Sequence, residues 1–154
     1  PPPLFFFFFR LPPISTLFPY TTLFRSEAME LLQMDPSYSE RDLNVGFSGG
    51  EKKKAEILQM LLLNPKLAIL DETDSGLDVD AVRTVSKGVE HYQKNRDGAL
   101  LIITHSTGIL ESLKVDYTHI MVNGHIVKTG DASLIDEINE HGFEKYLELY
   151  AEKF

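Results

Sequence analysis

The sequence predicts an α/β domain in which parallel strands alternate with helices. Two apolar runs, residues 67–70 and Ala99–Ile103, have the length and composition of strands. Four consecutive apolar residues suit a strand that is covered on both faces of a parallel sheet, which is what we expect for residues 67–70. Apolar residues at helical spacing separate the two runs: Val82, Val85, Val89 and Tyr92.

The remaining elements follow from local signals. Asn123–Gly124, flanked by residues 117–122 and 125–128, is a strong signal for a hairpin with a type I′ turn. Asp35-Pro36-Ser37 ends an early helix, and residues 38–47 read as a polar connection. The further helices that the sequence predicts are residues 27–34, 48–64, 108–113, 131–139 and 143–153. The last two are separated by Gly142.

Two carboxylates, Asp71 and Glu72, directly follow the first predicted strand. The carboxyl ends of strands are where open α/β sheets bind ligands. In nucleotide hydrolases one such carboxylate holds Mg²⁺, and a second orients or deprotonates water. Because successive strand residues point to opposite sides, we expect the two to have different roles. On the pair alone, a capped turn between a strand and a helix explains the pattern equally well.

A second motif begins at Ser48. Ser48 followed three residues later by Glu51 predicts a capping box and a helix start. Gly49 and Gly50 in the first turn leave backbone N–H groups open to close approach, and a helix N-terminus attracts anions. Three lysines follow at residues 52–54, where the helix dipole disfavours cations. A phosphate partner explains them, although a solvated basic face is the simpler reading of the lysines alone.

These motifs together resemble the ABC-type ATPases. Residues 47–51 resemble the family's signature motif, and residues 67–72 its Walker B strand with the catalytic glutamate. Residues 75–78 resemble the D-loop, and residues 102–105 the switch-histidine strand. The resemblance runs from about residue 27 to the C-terminus. The variant Asp-Glu-Thr-Asp-Ser-Gly-Leu-Asp, with the ending at residues 123–131, is most similar to the Suf-type branch that serves iron–sulfur cluster assembly.

The resemblance implies a fold, ligands and partners. The fold is the C-terminal part of a P-loop NTPase core, with parallel strands, a β-hairpin and terminal helices. The ligands are ATP and Mg²⁺. The partners are a second ATPase subunit, which closes head-to-tail around two ATP molecules, and Suf scaffold proteins.

The same resemblance assigns roles to individual residues. Asp71 holds Mg²⁺, Glu72 polarises the attacking water, and His105 contacts the γ-phosphate. The signature residues bind the γ-phosphate of a nucleotide held by the second subunit, and Asp78 lies at that interface and couples the two sites. The signature residues are Ser48, Gly49, Gly50 and Glu51.

The phosphate-binding P-loop of this family is absent from the sequence. The motif reads Gly-x-x-x-x-Gly-Lys-Ser/Thr because glycines let backbone amides wrap the phosphates while the lysine reaches in. The first glycine here is Gly46, and lysine follows none of the ten glycines. We therefore expect the chain alone to bind ATP weakly.

The first 26 residues differ in composition from the rest. Six of the eight prolines lie within the first nineteen residues, and Arg10 and Arg25 are the only charges before Glu27. The phenylalanine run is far shorter than the roughly 20 residues of a membrane-spanning helix. We expect residues 1–26 to be foreign or disordered sequence and residues 27–154 to be the cassette part. A membrane or partner anchor is the alternative, and no direct membrane insertion is expected.

Charge and cysteine content exclude several functions. The net charge is −8, and because residues 1–26 contribute +2, the remainder carries −10, which argues against nonspecific binding of nucleic acid. The chain contains no cysteine, so it has no disulfide framework and no thiolate for an iron–sulfur cluster. The Suf resemblance then implies that cluster atoms are bound by partner proteins. A cytoplasmic location is consistent with this composition.

Three functions remain open on the sequence. The first is an ATPase subunit of iron–sulfur assembly without its P-loop. The second is the ATPase subunit of an ABC importer, and the third is a noncatalytic fragment that offers its signature face to a partner. We also expect poor solubility, because a sheet without its neighbouring strand exposes an edge.

Overall fold

The computed structural model describes residues 22–42, 45–95 and 98–153. They divide after Ile109 into two compact units. The first unit contains helices α1 (Thr22–Leu31), α2 (Gly49–Leu63) and α3 (Val79–Asn95), strands β1 (Leu67–Asp71) and β2 (Ala99–Ile103), and a 3₁₀ turn at Pro36–Glu40. A second 3₁₀ turn, Gly108–Leu110, spans the boundary of the two units. The second unit contains strands β3 (Thr118–Val122) and β4 (His125–Gly130) and helices α4 (Ser133–His141) and α5 (Glu144–Lys153).

Strands β1 and β2 form a parallel pair, with α3 as the crossover between them. Leu67 pairs with Ala99 at one end, and Asp71 pairs with Ile103 at the other. A parallel pair needs such a crossover because its strands run in the same direction. The prediction of an α/β core with parallel strands is confirmed, and the C-terminal ends of both strands lie side by side.

The expectation that residues 67–70 are covered on both faces is wrong for the described part of the chain. Ala68 and Leu70 are buried, at 5% and 8% exposure, whereas the alternate residues of β1 and their neighbours on β2 are open to solvent. Four of these exposed residues form what we call the open apolar face: Leu67 (56% exposed), Ile69 (59%), Leu101 (47%) and Ile103 (50%). The described helices therefore cover one side of the strand pair.

The helices of the first unit pack closely where α3 passes α1 and α2. Gly88 of α3 lies at this crossing, and a Cβ added there would be 2.6 Å from Ile57 Cγ2 and 2.8 Å from Leu32 Cδ2. Both neighbours are fully buried. The absence of a side chain at Gly88 therefore permits Ile57 and Leu32 to pack directly against the backbone of α3.

Gly88→Ala is expected to lower the free energy of unfolding by about 1–2 kcal/mol. Overpacking costs roughly 1–3 kcal/mol, and the higher helix propensity of alanine returns up to about 1 kcal/mol. Urea unfolding of the variant measures the difference, with Lys87→Ala on the exposed side of α3 as the control. A Gly88→Ala variant as stable as the parent would contradict this packing.

The second unit is a β-hairpin covered by its terminal helices. Asn123 and Gly124 both have positive φ, 46° and 79°, which is the geometry of the predicted type I′ turn. The core of this unit consists of Ile120, Val127, Leu134 and Tyr146. The predicted hairpin and both terminal helices are confirmed, with ends that differ by one or two residues.

Three predicted elements have different bounds. The helix expected over residues 27–34 is Thr22–Leu31, so residue 26 lies inside it, and residues 1–21 are outside the described part. The polar connection begins with a 3₁₀ turn, because Asp35 caps it by accepting a hydrogen bond from Ser37 N and proline occupies its first position. The helix expected over residues 108–113 is one short 3₁₀ turn. Within the described ranges, no helix has the length and apolarity to cross a bilayer.

Candidate functional site

Glu72 and His105 meet at the C-terminal ends of β1 and β2. Glu72 Oε1 lies 3.5 Å from His105 Nδ1, and the two side chains are 55% and 67% exposed. Strand β1 ends at Asp71, and Glu72 follows with a left-handed φ of 46°. Glu72 therefore lies beyond the strand, and the alternation of strand side chains does not determine the direction of its side chain. Its backbone N–H donates to Ile103 O at 2.8 Å, which holds the turn against the neighbouring strand.

Left-handed backbone is uncommon for a residue such as glutamate and costs of order 1–3 kcal/mol. Strained residues of this kind cluster at functional sites. Asp71, one residue earlier, is the last residue of β1 and is exposed. The structure thus brings Asp71, Glu72 and His105 to one edge of the sheet, as open α/β sheets arrange their ligand-binding residues.

The signature segment forms the N-terminus of α2 as the sequence predicts. Ser48 Oγ accepts from Glu51 N at 3.3 Å, and Glu51 Oε2 accepts from Ser48 N at 2.7 Å, so both halves of the capping box are present. Gly49 and Gly50 have helical backbone. A Cβ added at Gly49 would meet no heavy atom within 4 Å, and one at Gly50 would meet Leu77 Cδ2 at 3.8 Å. The fold itself therefore does not require these glycines.

Tyr38 is a site residue that the sequence analysis missed. Its hydroxyl donates to Glu51 Oε1, its ring packs edge-on against Phe47 at 4.7 Å, and Arg41 lies 4.6 Å above it. These hydrogen bonds from Tyr38 and then from Ser48 lower the pKa of Glu51 from 4.5 to about 2. Glu51, predicted to bind nucleotide, has both oxygens bonded within the chain. Tyr38 lies in the segment read as a polar connection, so only its aromatic character could have drawn attention to it.

Tyr38→Phe is expected to reduce stability near neutral pH, and the deficit is expected to shrink in acid. The pKa of Glu51 is depressed in the folded state, so its ionised form contributes stability above pH 4.5 that is lost as the pH falls toward 2. The same bond raises the pKa of Tyr38, so its contribution is lost as the pH rises above 10. Urea unfolding of the variant and the parent between pH 2 and pH 8 measures how the stability deficit changes in acid.

The control is Tyr117→Phe, because Tyr117 is 78% exposed. A Tyr38→Phe deficit that is the same at low and neutral pH would contradict the assigned hydrogen bond.

Asp78 has a structural role within the first unit. Its Oδ1 accepts from Ala81 N at 2.8 Å and so caps α3. Its neighbour Leu77 is the residue that approaches Gly50. Residues 77 and 78 thus lie beside the start of α2. Within the described residues, no hydrogen bond or ion pair joins the signature residues to Glu72 or His105.

Asp74, to which the sequence analysis gave no role, is buried at 6% exposure. Both its carboxylate oxygens lie 3.0 Å from Thr104 Oγ1, next to His105. The sequence held no signal for this pair. No cluster of three or more His, Cys, Asp or Glu side chains suited to a metal occurs in the described ranges.

Known proteins resemble this chain in sequence. It is 50% identical over 123 residues to ycf16 of Cyanophora paradoxa, described as a probable ATP-dependent transporter, with 80% of this chain and 47% of that protein covered. It is 49% identical over 115 residues to the iron–sulfur cluster assembly protein SufC of Plasmodium berghei, covering 75% of this chain and 31% of that protein. The chain is homologous to ABC-type ATP-binding proteins. It spans about half the length of the ycf16 proteins it matches.

Solved cassettes share the fold. A nucleotide-free ATP-binding cassette from an ABC transporter superposes with a TM-score of 0.61 at 25% identity, covering 90% of this chain and 56% of the cassette. A dimeric bacterial ABC transporter cassette gives 0.58 at 14% identity, covering 70% and 45%. No protein-family model matches the chain. The predicted ABC-type fold and resemblance are confirmed, while the roles of the individual site residues stay predictions.

Proposed function

We propose that this chain is part of a cytoplasmic ATPase subunit that binds and hydrolyses ATP for iron–sulfur cluster assembly by the Suf system. The observation that carries the proposal is the Glu72–His105 pair, 3.5 Å apart at the ends of two parallel strands. A carboxylate base and a phosphate-contacting histidine at one strand edge are what hydrolysis of a terminal phosphate needs. The assembly role is supported by the resemblance to SufC.

In this proposal Glu72 accepts a proton from the attacking water. A positioned general base contributes typically about 10²–10⁴-fold to the rate. His105 contacts the γ-phosphate from the neighbouring strand end. Both side chains are more than half exposed, so water and nucleotide can reach them.

The residues present fit Mg²⁺ held jointly with phosphate oxygens. Asp71 offers an exposed carboxylate at the strand end, which is the type of oxygen ligand that Mg²⁺ prefers. Because no larger cluster of ligating side chains occurs in the described residues, a cage made of protein alone does not fit. Mg²⁺ typically binds through one or two carboxylates and the substrate's phosphates, and it neutralises charge that develops on them.

The signature face binds the nucleotide of a second subunit. Ser48 caps α2, and the backbone N–H groups of Gly49 and Gly50 stand at its positive end. The room around both glycines admits a phosphate. Asp78, next to this helix start, would meet the second subunit in a head-to-tail dimer.

The test is ATP-dependent association with an intact Suf-type ATPase subunit, measured by analytical ultracentrifugation. Gly49→Asp places a carboxylate at the proposed phosphate site without a steric conflict inside the chain. It is expected to abolish the association. The control is Ala132→Asp, which puts the same charge at the N-terminus of α4, where Ala132 is the N-cap and makes no side-chain bond. Association that survives Gly49→Asp, or that needs no ATP, would overturn the signature assignment.

Copurification separates the Suf role from the importer role. Expressed with Suf scaffold proteins and with an importer permease, the chain is expected to be retained by the scaffold. The description of the Cyanophora paradoxa relative ycf16 as a probable transporter favours retention by the permease. Retention by the permease alone would replace the assembly role with the importer role.

A further inference from the structure

Asp74 is a buried carboxylate whose position needs an explanation. It lies in the turn after Glu72 and is 6% exposed. Burial of a charged group is costly unless hydrogen bonds compensate. The Thr104 hydroxyl has one proton and two acceptors in reach, the Asp74 carboxylate at 3.0 Å and Ser106 O at 2.9 Å. Because a carboxylate is the stronger acceptor, we assign the proton to Asp74. This bond joins residues that are 30 positions apart in the sequence.

Each partner of this bond lies beside a residue of the proposed site. Asp74 is two residues after Glu72, and Thr104 directly precedes His105. Thr104 Oγ1 also accepts from Ser106 N at 2.9 Å, so one hydroxyl fixes the backbone on both sides of His105. The Asp74–Thr104 hydrogen bond therefore joins the loop that carries Glu72 to the loop that carries His105.

We propose that Asp74 and Thr104 are positioning residues that set the separation of Glu72 and His105. The proposal rests on the proposed ATPase function. Neither residue touches the nucleotide in it, so their loss acts on the hydrolytic step rather than on nucleotide affinity.

The first test is the kinetics of three variants of the full chain. Thr104→Val removes the hydroxyl at nearly constant volume, and Thr104→Ser restores it. Thr104→Val is expected to lower turnover at saturating MgATP by about 10- to 100-fold, since a displacement of about 1 Å at a reacting group has an effect of this size. Its KM is expected to stay within about twofold, and Thr104→Ser is expected to recover most of the rate. Asp74→Asn, which keeps one accepting oxygen, is expected to be intermediate.

The second test does not depend on activity. In the parent chain, Glu72→Gln is expected to shift the ring resonances of His105 in NMR spectra because the two side chains are in contact. In a Thr104→Val background the same substitution is expected to leave these resonances unchanged, and in a Thr104→Ser background to shift them again. Should Thr104→Val not fold, Asp74→Asn serves as the background, with a reduced shift expected.

The outcomes separate this proposal from the proposed function. If the ring shift depends on the hydroxyl but no variant hydrolyses ATP, the ATPase role fails and the positioning role stands. If hydrolysis depends on Glu72 but Thr104→Val changes neither turnover nor the ring shift, the positioning role is overturned. A loss that Thr104→Ser does not restore also overturns it, because it would reflect general destabilisation.

Discussion

Glu72→Gln is expected to lower the rate of ATP hydrolysis by about 10²–10⁴-fold, the contribution of a positioned general base. Glutamine has nearly the same volume and retains one accepting oxygen, but it cannot take a proton from water. Because the Glu72 side chain is 55% exposed, the substitution is expected to leave the fold intact. Phosphate release by the purified chain alone at millimolar MgATP measures the effect, because an intact ATPase subunit would contribute hydrolysis by its own base.

Glu140→Gln is the matched control for this experiment. Glu140 is 73% exposed and lies 3.9 Å from His141 Nε2, so it belongs to a second exposed pair of a glutamate and a histidine. Its substitution is expected to leave hydrolysis unchanged. Equal rates for parent and Glu72→Gln chains, or equal losses in both variants, would contradict the role of Glu72.

The double substitution Ile69→Thr with Leu101→Thr is expected to weaken self-association of the chain by about 5- to 30-fold, because it removes roughly 1–2 kcal/mol of apolar burial from any contact formed there. The two residues are neighbours across the parallel pair, at 59% and 47% exposure, in the centre of the open apolar face. Threonine is tolerated well in strands, so the sheet is expected to persist. Sedimentation at several concentrations measures the change.

Leu63→Thr with Val79→Thr tests whether position matters. These residues are 62% and 68% exposed, but they lie at the end of α2 and the start of α3 rather than on the sheet. They are expected to have little effect. If both double variants weaken association equally, general surface hydrophobicity rather than the open apolar face is responsible.

Much of the fold could be predicted from local chemistry. The capping box at Ser48 and the Asn123–Gly124 turn are each specified by residues a few positions apart, and both occur as predicted. The strands were recognisable because an apolar run of four or five residues between turn signals is too short for a buried helix. The order of motifs was sufficient for the family resemblance, which the homologues confirm.

Features that depend on distant contacts could not be predicted. The bond between Asp74 and Thr104 spans 30 positions, and the bond between Tyr38 and Glu51 spans 13, so no periodicity reports them. The composition of β1 suggested burial on both faces, yet burial is decided by what packs against the strand. The resemblance assigned Glu72 and His105 to one nucleotide site, but nothing in the sequence indicated the left-handed backbone at Glu72.

The central claim is that this chain recognises nucleoside triphosphates at two places, the start of α2 and the acid–histidine pair at the strand ends. The most direct test is an NMR titration of the isotope-labelled chain with MgATP in the presence of an unlabelled intact subunit. The account predicts shifts at the Gly49 and Gly50 amides and at the His105 ring with MgATP, and none of them with AMP. Shifts that are equal with AMP, or that spare both the helix start and His105, would contradict it.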